Sequence, residues 1–390
     1  MMISYLSVEI LQCIFEYHEN DVKTLYSILL VNRLWARIVV EILWRNPFKY
    51  GRNKFLSSDI RLLEVYQAYI NDDDEPDEDK KEGNKGKNSM GDEFLFDYPS
   101  FIRILNLKYF RSNKFINKFI NMFLRECKKL TSLNINYYEE VFTQERLQRS
   151  TCLSQLEVLK CHDMVPINLT LLSKYCNDIK ILIIDVIRNN NDEICSLIKV
   201  QKNLKKLKIK KLFPKIEEAL KIQAHSLTHI IFFQRDYIFN SDSLDQLQYC
   251  TSLESLEFFE WNVKNNDAST LSKMYFSHLK TLIFDYSSIT GPDLINLIKL
   301  NGSSLKHLCF YDEIIPDCQL TQLAKVIEQY CSLLSLKLQT NFRYERVFTG
   351  ISWCKDIVSN LSYFEIDSRL FVINYKYYAP IKPEDIEKVI

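Results

Sequence analysis

The segment CTSLESLEF, residues 250–258, contains the pattern that decides the fold of most of the chain. Leu253, Leu256 and Phe258 occupy the first, fourth and sixth positions of an L-x-x-L-x-L frame. Successive side chains of an extended strand point to opposite faces, so alternate residues share a face. The frame therefore predicts a short strand whose fourth and sixth positions enter a core, while its third, fifth and seventh positions face away from that core.

The same frame recurs through the chain after about residue 100. Successive first positions are 23 to 28 residues apart, which agrees with the period of roughly 20 to 29 residues in leucine-rich repeats. The repetition therefore predicts an α/β solenoid over residues 98–390, a horseshoe with parallel strands on its concave face and helices on its convex face. The first positions of the eleven frames are Ile102, Leu130, Leu156, Ile179, Leu204, Leu227, Leu253, Leu279, Leu305, Leu333 and Leu361.

The segments between frames carry the apolar spacing of helices. Apolar residues recur at helical spacing in Phe115–Leu124 and again in Leu320–Tyr330, which predicts a helix in each. The asparagine or cysteine that usually follows such a frame is clear only at Asn341, so we expect irregular turns after the strands. The Tyr-rich tail after the last frame, Leu361–Ile366, is expected to cap the end of the repeats.

The composition is that of a folded protein without a global charge bias. Hydrophobic residues make up 47% of the chain and its formal net charge is zero, so the total charge favours neither nucleic acid nor an anionic membrane as a partner. The longest aliphatic runs, such as Ile181–Ile184, are far shorter than the roughly 20 residues of a membrane helix. The N-terminus lacks the features of a secretion signal, so we expect a cytoplasmic or nuclear protein.

The eleven cysteines favour neither a disulfide framework nor a metal site, because no C-x-x-C pair occurs and the chain is large. Cys127, Cys176 and Cys250 each precede a frame by three residues, which predicts that they pack as small buried side chains. Cys161 beside His162 is the nearest approach to a nucleophile pair. Neighbours in a strand point to opposite faces, however, so we expect no reaction from this pair.

Motifs for catalysis or cofactor binding are missing from the sequence. The phosphate-binding patterns G-x-x-x-x-G-K-[ST] and G-x-G-x-x-G do not occur, and neither do G-x-S-x-G or H-E-x-x-H. We therefore expect no catalytic residues, no cofactor and no metal. An enzyme with an unrecognised site is the least favoured alternative.

The N-terminal segment Leu6–Phe48 has the pattern of three short helices. Ser7 and Asp21 are placed to cap the first two, and a break near Asn32 precedes the third, which runs toward Pro47. Isolated helices shorter than about 12 to 15 residues are marginal in water. These helices must therefore pack on one another or on a partner.

The three helices resemble an F-box, with residues 1–50 forming the domain. The resemblance rests on LSVEILQCIFEY at residues 6–17, on LYSILLVNRLWARIV at residues 25–39 and on Leu43 and Trp44. F-boxes usually begin with Leu-Pro, whereas Ser7 stands at the proline position here. The resemblance implies docking on a Skp-type adaptor and, through it, on a cullin. The alternative is that the residues only fill a three-helix core. The adaptor-facing residues that the resemblance implies are Leu6, Val8, Ile10, Leu11, Ile14 and Trp35.

The F-box and the repeats are joined by two segments of different character. Residues 51–70 keep helical spacing, which predicts a helical connector. Residues 71–93 hold ten acidic and four basic residues and almost no apolar ones. Such a segment cannot bury enough apolar surface to offset its ordering entropy, so an acidic disordered loop is predicted there.

The third, fifth and seventh positions of each frame are where the concave face would contact a ligand. Their character changes from basic in the fifth frame to aromatic and acidic in the later frames. Surface aromatics give large contact areas, which favours a protein-docking site, although Phe233 and Phe259 could instead only cover neighbouring repeats. The predicted target-binding residues are Lys206, Lys208, Lys210, His229, Phe233, Glu257, Phe259, Asp285 and Tyr311.

An F-box followed by such repeats resembles the F-box proteins with C-terminal leucine-rich repeats. The resemblance implies the substrate-recognition subunit of an SCF-type E3 ubiquitin ligase, which binds the adaptor through the F-box and an unknown target through the repeats. The target would then undergo ubiquitin-dependent degradation by the proteasome. The alternative is a repeat scaffold outside any ligase, in which the front helices only cap the solenoid.

Overall fold

The computed structural model divides the chain into two compact units, Met1–Ile179 and Lys180–Ile390. The acidic loop predicted at residues 71–93 and the turn residue Asn341 lie outside the described residues. The described residues are 6–49, 65–67, 69–70, 95–107, 114–136, 142–148, 150, 152–162, 166–185, 191–210, 216–233, 243–260, 265–285, 287, 289–311, 317–339, 363–367 and 375–377.

The first unit begins with three helices, as the sequence predicts. They are α1 (Val8–Tyr17), α2 (Val22–Leu29) and α3 (Arg33–Trp44). Each begins after a side-chain oxygen that accepts the backbone N–H three residues later, and these caps are Ser7, Asp21 and Asn32. The predicted caps at Ser7 and Asp21 are confirmed, and the predicted break at Asn32 is the N-cap of the next helix.

The three helices pack around a core of their own. The ring of Phe15 on α1 meets the ring of Trp35 on α3 edge to face, with centroids 5.1 Å apart. This core brings together helices that would be marginal alone. Its buried members are Leu11, Phe15, Leu25, Ile38, Val39 and Ile42.

Three parallel strands follow in the first unit. Neighbouring strands pair so that Leu105, Leu133 and Leu159, the fourth positions of their frames, lie side by side. The elements are β1 (Ile104–Asn106), α4 (Lys114–Glu126), β2 (Ser132–Asn136), α5 (Gln144–Gln148), β3 (Val158–His162) and α6 (Pro166–Tyr175), with short 3-10 helices at Tyr98–Phe101 and Cys152–Gln155.

The second unit alternates strands and helices in the same way. A 3-10 helix, Ser243–Tyr249, replaces an α-helix between β6 and β7. The elements are β4 (Ile181–Asp185), α7 (Asn191–Lys199), β5 (Lys206–Ile209), α8 (Ile216–Gln223), β6 (His229–Phe233), β7 (Ser255–Phe259), α9 (Asn265–Leu271), β8 (Thr281–Asp285), α10 (Gly291–Asn301), β9 (His307–Tyr311), α11 (Asp317–Tyr330), β10 (Ser335–Gln339), β11 (Tyr363–Asp367) and β12 (Tyr375–Tyr377).

Strands β4 to β11 pair in parallel and in chain order, whereas β12 in the Tyr-rich tail pairs antiparallel with β11. The register aligns the fourth positions of successive frames, so Ile230, Leu256 and Leu282 lie side by side. All three are fully buried. Buried and half-buried residues alternate along β8, whereas β6 and β7 each have one additional buried residue, Ile231 and Ser255. The predicted strand frames are therefore confirmed in this unit, while the horseshoe shape stays a prediction.

Buried amides join neighbouring repeats on the helix side of the second unit. The side-chain N–H groups of Asn301 donate to the carbonyls of Met274 and Leu297, at 3.0 and 2.9 Å, and its Oδ1 accepts the N–H of Phe276 at 2.7 Å. Asn301 is fully buried. These bonds satisfy backbone groups that the irregular turn before β8 would otherwise leave unpaired.

The predicted cysteine positions are buried, as expected from their places before the frames. Burial raises the pKa of the Cys176 and Cys250 thiols to about 12, so both are neutral and unreactive at physiological pH. Cys161 is buried on the core face of β3, while His162 is half-buried on the opposite face. The described residues include no group of three or more metal-binding side chains that could hold an ion, and none of their helices is long and apolar enough to cross a bilayer.

The C-terminal end of helix α3 makes the backbone hydrogen bonds to β1 that a preceding repeat would otherwise make. The carbonyl of Arg45 accepts the backbone N–H groups of Arg103 and Ile104, at 2.9 and 3.0 Å. In the next step along the chain, the carbonyl of Arg103 accepts the N–H groups of Thr131 and Ser132 in the same manner. The carbonyl at the end of α3 thus accepts the backbone N–H groups at the start of β1, as the carbonyl of Arg103 does for β2.

Candidate functional site

Helix α1 carries two apolar stripes, and only one of them faces the core. Leu11 and Phe15, four residues apart, are 4% and 2% exposed. Ile10 and Ile14 form the second stripe with Tyr17, and they are 49% and 44% exposed. A helix that is apolar on two sides needs a second packing partner. The described residues of the first unit leave this second stripe open to solvent.

The three-helix segment exposes further large apolar side chains. Large apolar side chains that stay exposed on a small domain are candidates for a protein-binding site. We refer to these residues together with Ile10, Ile14 and Tyr17 as the open helical surface. Its other members are Leu6, Val8, Tyr26, Leu30, Val31 and Leu34.

The predicted adaptor-facing set therefore divides into two groups. Leu6, Val8, Ile10 and Ile14 are all exposed. Leu11 is buried in the three-helix core, so its prediction as a partner contact is corrected, because its side chain is already covered by the domain itself. Trp35 is partly buried against the same core and keeps part of its surface accessible.

A charged network joins α1 and α3 to β1. Nη2 of Arg45 lies 2.7 Å from Oε1 of Glu16, and Nη2 of Arg103 lies 3.4 Å from Oε1 of Glu41. The hydrogen bond from Arg45 lowers the pKa of Glu16. Arg45, Glu41 and Arg103 border an open cleft of about 530 Å³, which Lys49 also lines. The network holds the end of α3 beside the first strand.

The second candidate surface lies on strands β5 to β8, on the face formed by the third, fifth and seventh positions. We call this the sheet face. The structure brings together most of the predicted target-binding residues there as half-buried side chains. They are Lys206, Lys208, Lys210, His229, Phe233, Glu257, Phe259 and Asp285.

Lys208 is the centre of the sheet face. Its Nζ lies 4.6 Å from the ring centroid of Phe233 on the next strand and 6.0 Å from that of Phe259 on the strand beyond. An ammonium within about 6 Å of an aromatic face is attracted by the ring quadrupole. The basic and aromatic residues, which the sequence pattern treats as separate groups, therefore form one cluster.

Other charges on the sheet face are partly balanced within it. Nζ of Lys210 lies 2.8 Å from Oδ1 of Asp185, so this lysine contributes little net charge. Oε1 of Glu257 accepts the hydroxyl hydrogen of Ser255 at 2.9 Å. The remaining charged side chains of the sheet face are Lys206 and Lys208 on β5, Glu257 on β7 and Asp285 on β8.

Some positions on this face differ from the simple alternation. Ile231 is 5% exposed although it is a fifth position, because Lys208 and Glu257 flank it in the strand register. Tyr311 is paired with Asp285 in the register of β8 and β9. Its side chain lies outside the described part of the chain, so its predicted role as an anchor stays a prediction.

Sequence reasoning missed two features of these surfaces. Five members of the open helical surface are absent from the predicted set, namely Tyr17, Tyr26, Leu30, Val31 and Leu34. The signal for Tyr17 is its spacing of three residues from Ile14, which continues the second stripe of α1. The contact of Lys208 with the two phenylalanines has no such local signal, because it joins residues on three strands.

Comparison with known proteins identifies the N-terminal helices. The F-box-like family model matches residues 8–50, a segment that contains α1, α2 and α3. No curated protein matches the chain. F-box domains generally bind Skp-type adaptors, and the exposed stripe of α1 lies within the matched residues. Residues 8–50 are therefore an F-box-like domain.

Proposed function

We propose that the protein is the substrate-recognition subunit of an SCF-type E3 ubiquitin ligase. The F-box-like domain binds a Skp-type adaptor, the adaptor joins a cullin, and the repeats bind a target protein. The observation that carries the proposal is the second stripe of α1, in which Ile10 and Ile14 stay about half exposed while Leu11 and Phe15 fill the core. A small helical domain leaves such a stripe open when a partner completes it.

The mechanism is proximity rather than catalysis by this chain. The F-box-like domain fixes the position of the adaptor, and the repeats hold the target. Lysines of the target are then presented to a ubiquitin-loaded enzyme elsewhere in the assembly, which raises their effective concentration. The chain supplies no catalytic residue and no cofactor, and the outcome for the target is degradation by the proteasome.

The adaptor contact is tested by Ile10→Asp, with Ile222→Asp as the matched control. Both isoleucines lie on helices and are about half exposed, at 49% and 52%, but Ile222 is on α8. Burial of an unpaired carboxylate in an apolar interface is strongly unfavourable. We expect Ile10→Asp to abolish copurification of a Skp-type adaptor and cullin from cell extract, whereas Ile222→Asp keeps it.

The second candidate function is a repeat scaffold outside any ligase. The pairing of Arg45 with the first strand favours it, because it makes the F-box-like domain a cap for the repeats. The two functions differ in the copurification experiment. Retention of adaptor and cullin by Ile10→Asp, or their absence from the parent chain, would reject the ligase role and leave the scaffold.

A further inference from the structure

The sheet face carries opposite charges on its two sides with an aromatic centre between them. Lys206 and Lys208 lie on β5, and the aromatic residues Phe233 and Phe259 lie on β6 and β7. Asp285 lies on β8, and Glu257 adds a second carboxylate on β7. Across the strands, the order of side chains is therefore cation, aromatic, anion.

The aromatic centre is accessible from the same side as the cation. Phe233 and Phe259 are both half-buried, and the ammonium of Lys208 lies over the Phe233 ring. A carboxylate that approaches this ammonium is brought beside the Phe259 ring, because the ammonium is also 6.0 Å from the centroid of that ring. An apolar side chain next to the carboxylate would thus find an aromatic surface within reach.

The spacing of the strands sets the length of the segment that fits. Neighbouring strands lie about 4.8 Å apart, so β5 and β8 are separated by about 14 Å. An extended chain advances about 3.3 Å per residue, and alternate side chains share a face. Three side chains at alternate positions therefore span about 13 Å, which matches the distance from the lysines of β5 to the carboxylates of β7 and β8.

We propose that the sheet face binds an extended target segment that crosses the strands and carries an acidic, an apolar and a basic side chain at successive alternate positions. The acidic side chain pairs with Lys206 and Lys208, the apolar one packs on Phe233 and Phe259, and the basic one pairs with Glu257 and Asp285. This inference rests on the proposed role of the repeats in target binding. The segment can run in either direction, because reversing the chain reverses the order of its charges.

The test is selection of short random peptides, displayed on phage, against the purified full-length chain. We expect enrichment of peptides with an acidic and a basic residue four positions apart and an apolar residue midway between them. The variant Lys206→Glu/Lys208→Glu should enrich peptides with two basic residues at this spacing. For a synthetic peptide of the first class, this variant should weaken binding by about fivefold to tenfold, since each exposed ion pair contributes modestly.

The matched control is Lys202→Glu/Lys273→Glu, which makes the same charge change at two exposed lysines outside the sheet face. It should select the same peptides as the parent. Absence of the spaced motif, or its selection unchanged by Lys206→Glu/Lys208→Glu, would overturn the proposal. Adaptor copurification from the same preparations reports separately on the ligase role, so failure of one proposal is distinguished from failure of the other.

Discussion

The backbone carbonyl of Arg45, at the end of α3, accepts the N–H of Ile104 in the first strand at 3.0 Å. The same carbonyl accepts the N–H of Arg103, which gives the F-box-like domain the hydrogen-bonding role that one repeat has toward the next. Edge strands with unpaired backbone groups are prone to unwanted pairing. The domain therefore pairs the backbone N–H groups at the start of the first strand. The second stripe of α1 takes no part in this contact and stays exposed.

Removal of the F-box-like domain should expose the first strand. In a chain that begins at residue 95, the amides of Arg103 and Ile104 lose their acceptor, so we expect their hydrogen exchange to accelerate strongly. The control is the pair Lys205 and Lys206, whose amides donate to the carbonyl of Lys180 and should keep their protection. Unchanged protection at Arg103 and Ile104 would show that α3 does not cap the repeats.

Truncation of two neighbouring residues of α1 should change stability by very different amounts. Leu11→Ala should lower the free energy of unfolding of the F-box-like domain by about 2 to 5 kcal/mol, because it leaves a cavity in the core. Ile10→Ala should change it by less than about 0.5 kcal/mol, because its side chain is exposed. Hydrogen exchange of the backbone amides of α1 and α3 in increasing urea measures both. Equal destabilisation by the two variants would contradict the assignment of the two stripes.

Gly302 should be intolerant of even a single added methyl group. A Cβ at this position would lie 2.7 Å from the carbonyl oxygen of Ile298 and 2.8 Å from that of Tyr330. Backbone atoms cannot move aside as a flexible side chain can, so Gly302→Ala should cost about 1 to 3 kcal/mol of stability. Ser303→Ala, at the adjacent exposed residue, is the control and should be nearly neutral in thermal denaturation. A melting temperature for Gly302→Ala equal to that of the parent would contradict the close approach of α10 and α11.

The strands were predictable because side chains along a strand alternate between the two faces of the sheet, so the buried positions recur every second residue. Leu256 was assigned to a core position from its place in the frame, and it is fully buried between Ile230 and Leu282. The junction of Arg45 with Ile104 was not predictable, because it joins residues far apart in the sequence and involves only backbone atoms. Leu11 was misassigned because α1 has two apolar stripes, and periodicity alone does not say which of them faces the core.

Asn301 illustrates a further limit, because a polar residue in the core resembles a surface residue in the sequence. Here the sequence contains an N-x-S glycosylation pattern at Asn301, yet the side chain is fully buried and donates to two carbonyl oxygens. Its role depends on the turn before β8, which contributes Met274 and Phe276. No local pattern specifies such a turn.

Asn301→Asp should therefore destabilise the second unit in a pH-dependent manner. The variant keeps the shape and the acceptor of asparagine, but its ionised carboxylate has no donor for the carbonyls of Met274 and Leu297 and faces both of them. Burial and this repulsion raise the pKa of the new carboxyl above its ordinary value of about 3.9. Because the folded pKa is raised, the protonated form is the stable one, and its contribution is lost as pH rises. The loss relative to the parent should grow by about 1.4 kcal/mol per pH unit between the unfolded and the folded pKa, as measured by urea denaturation at several pH values. A difference from the parent that is the same at every pH would mean that Asn301 is not held between these carbonyls.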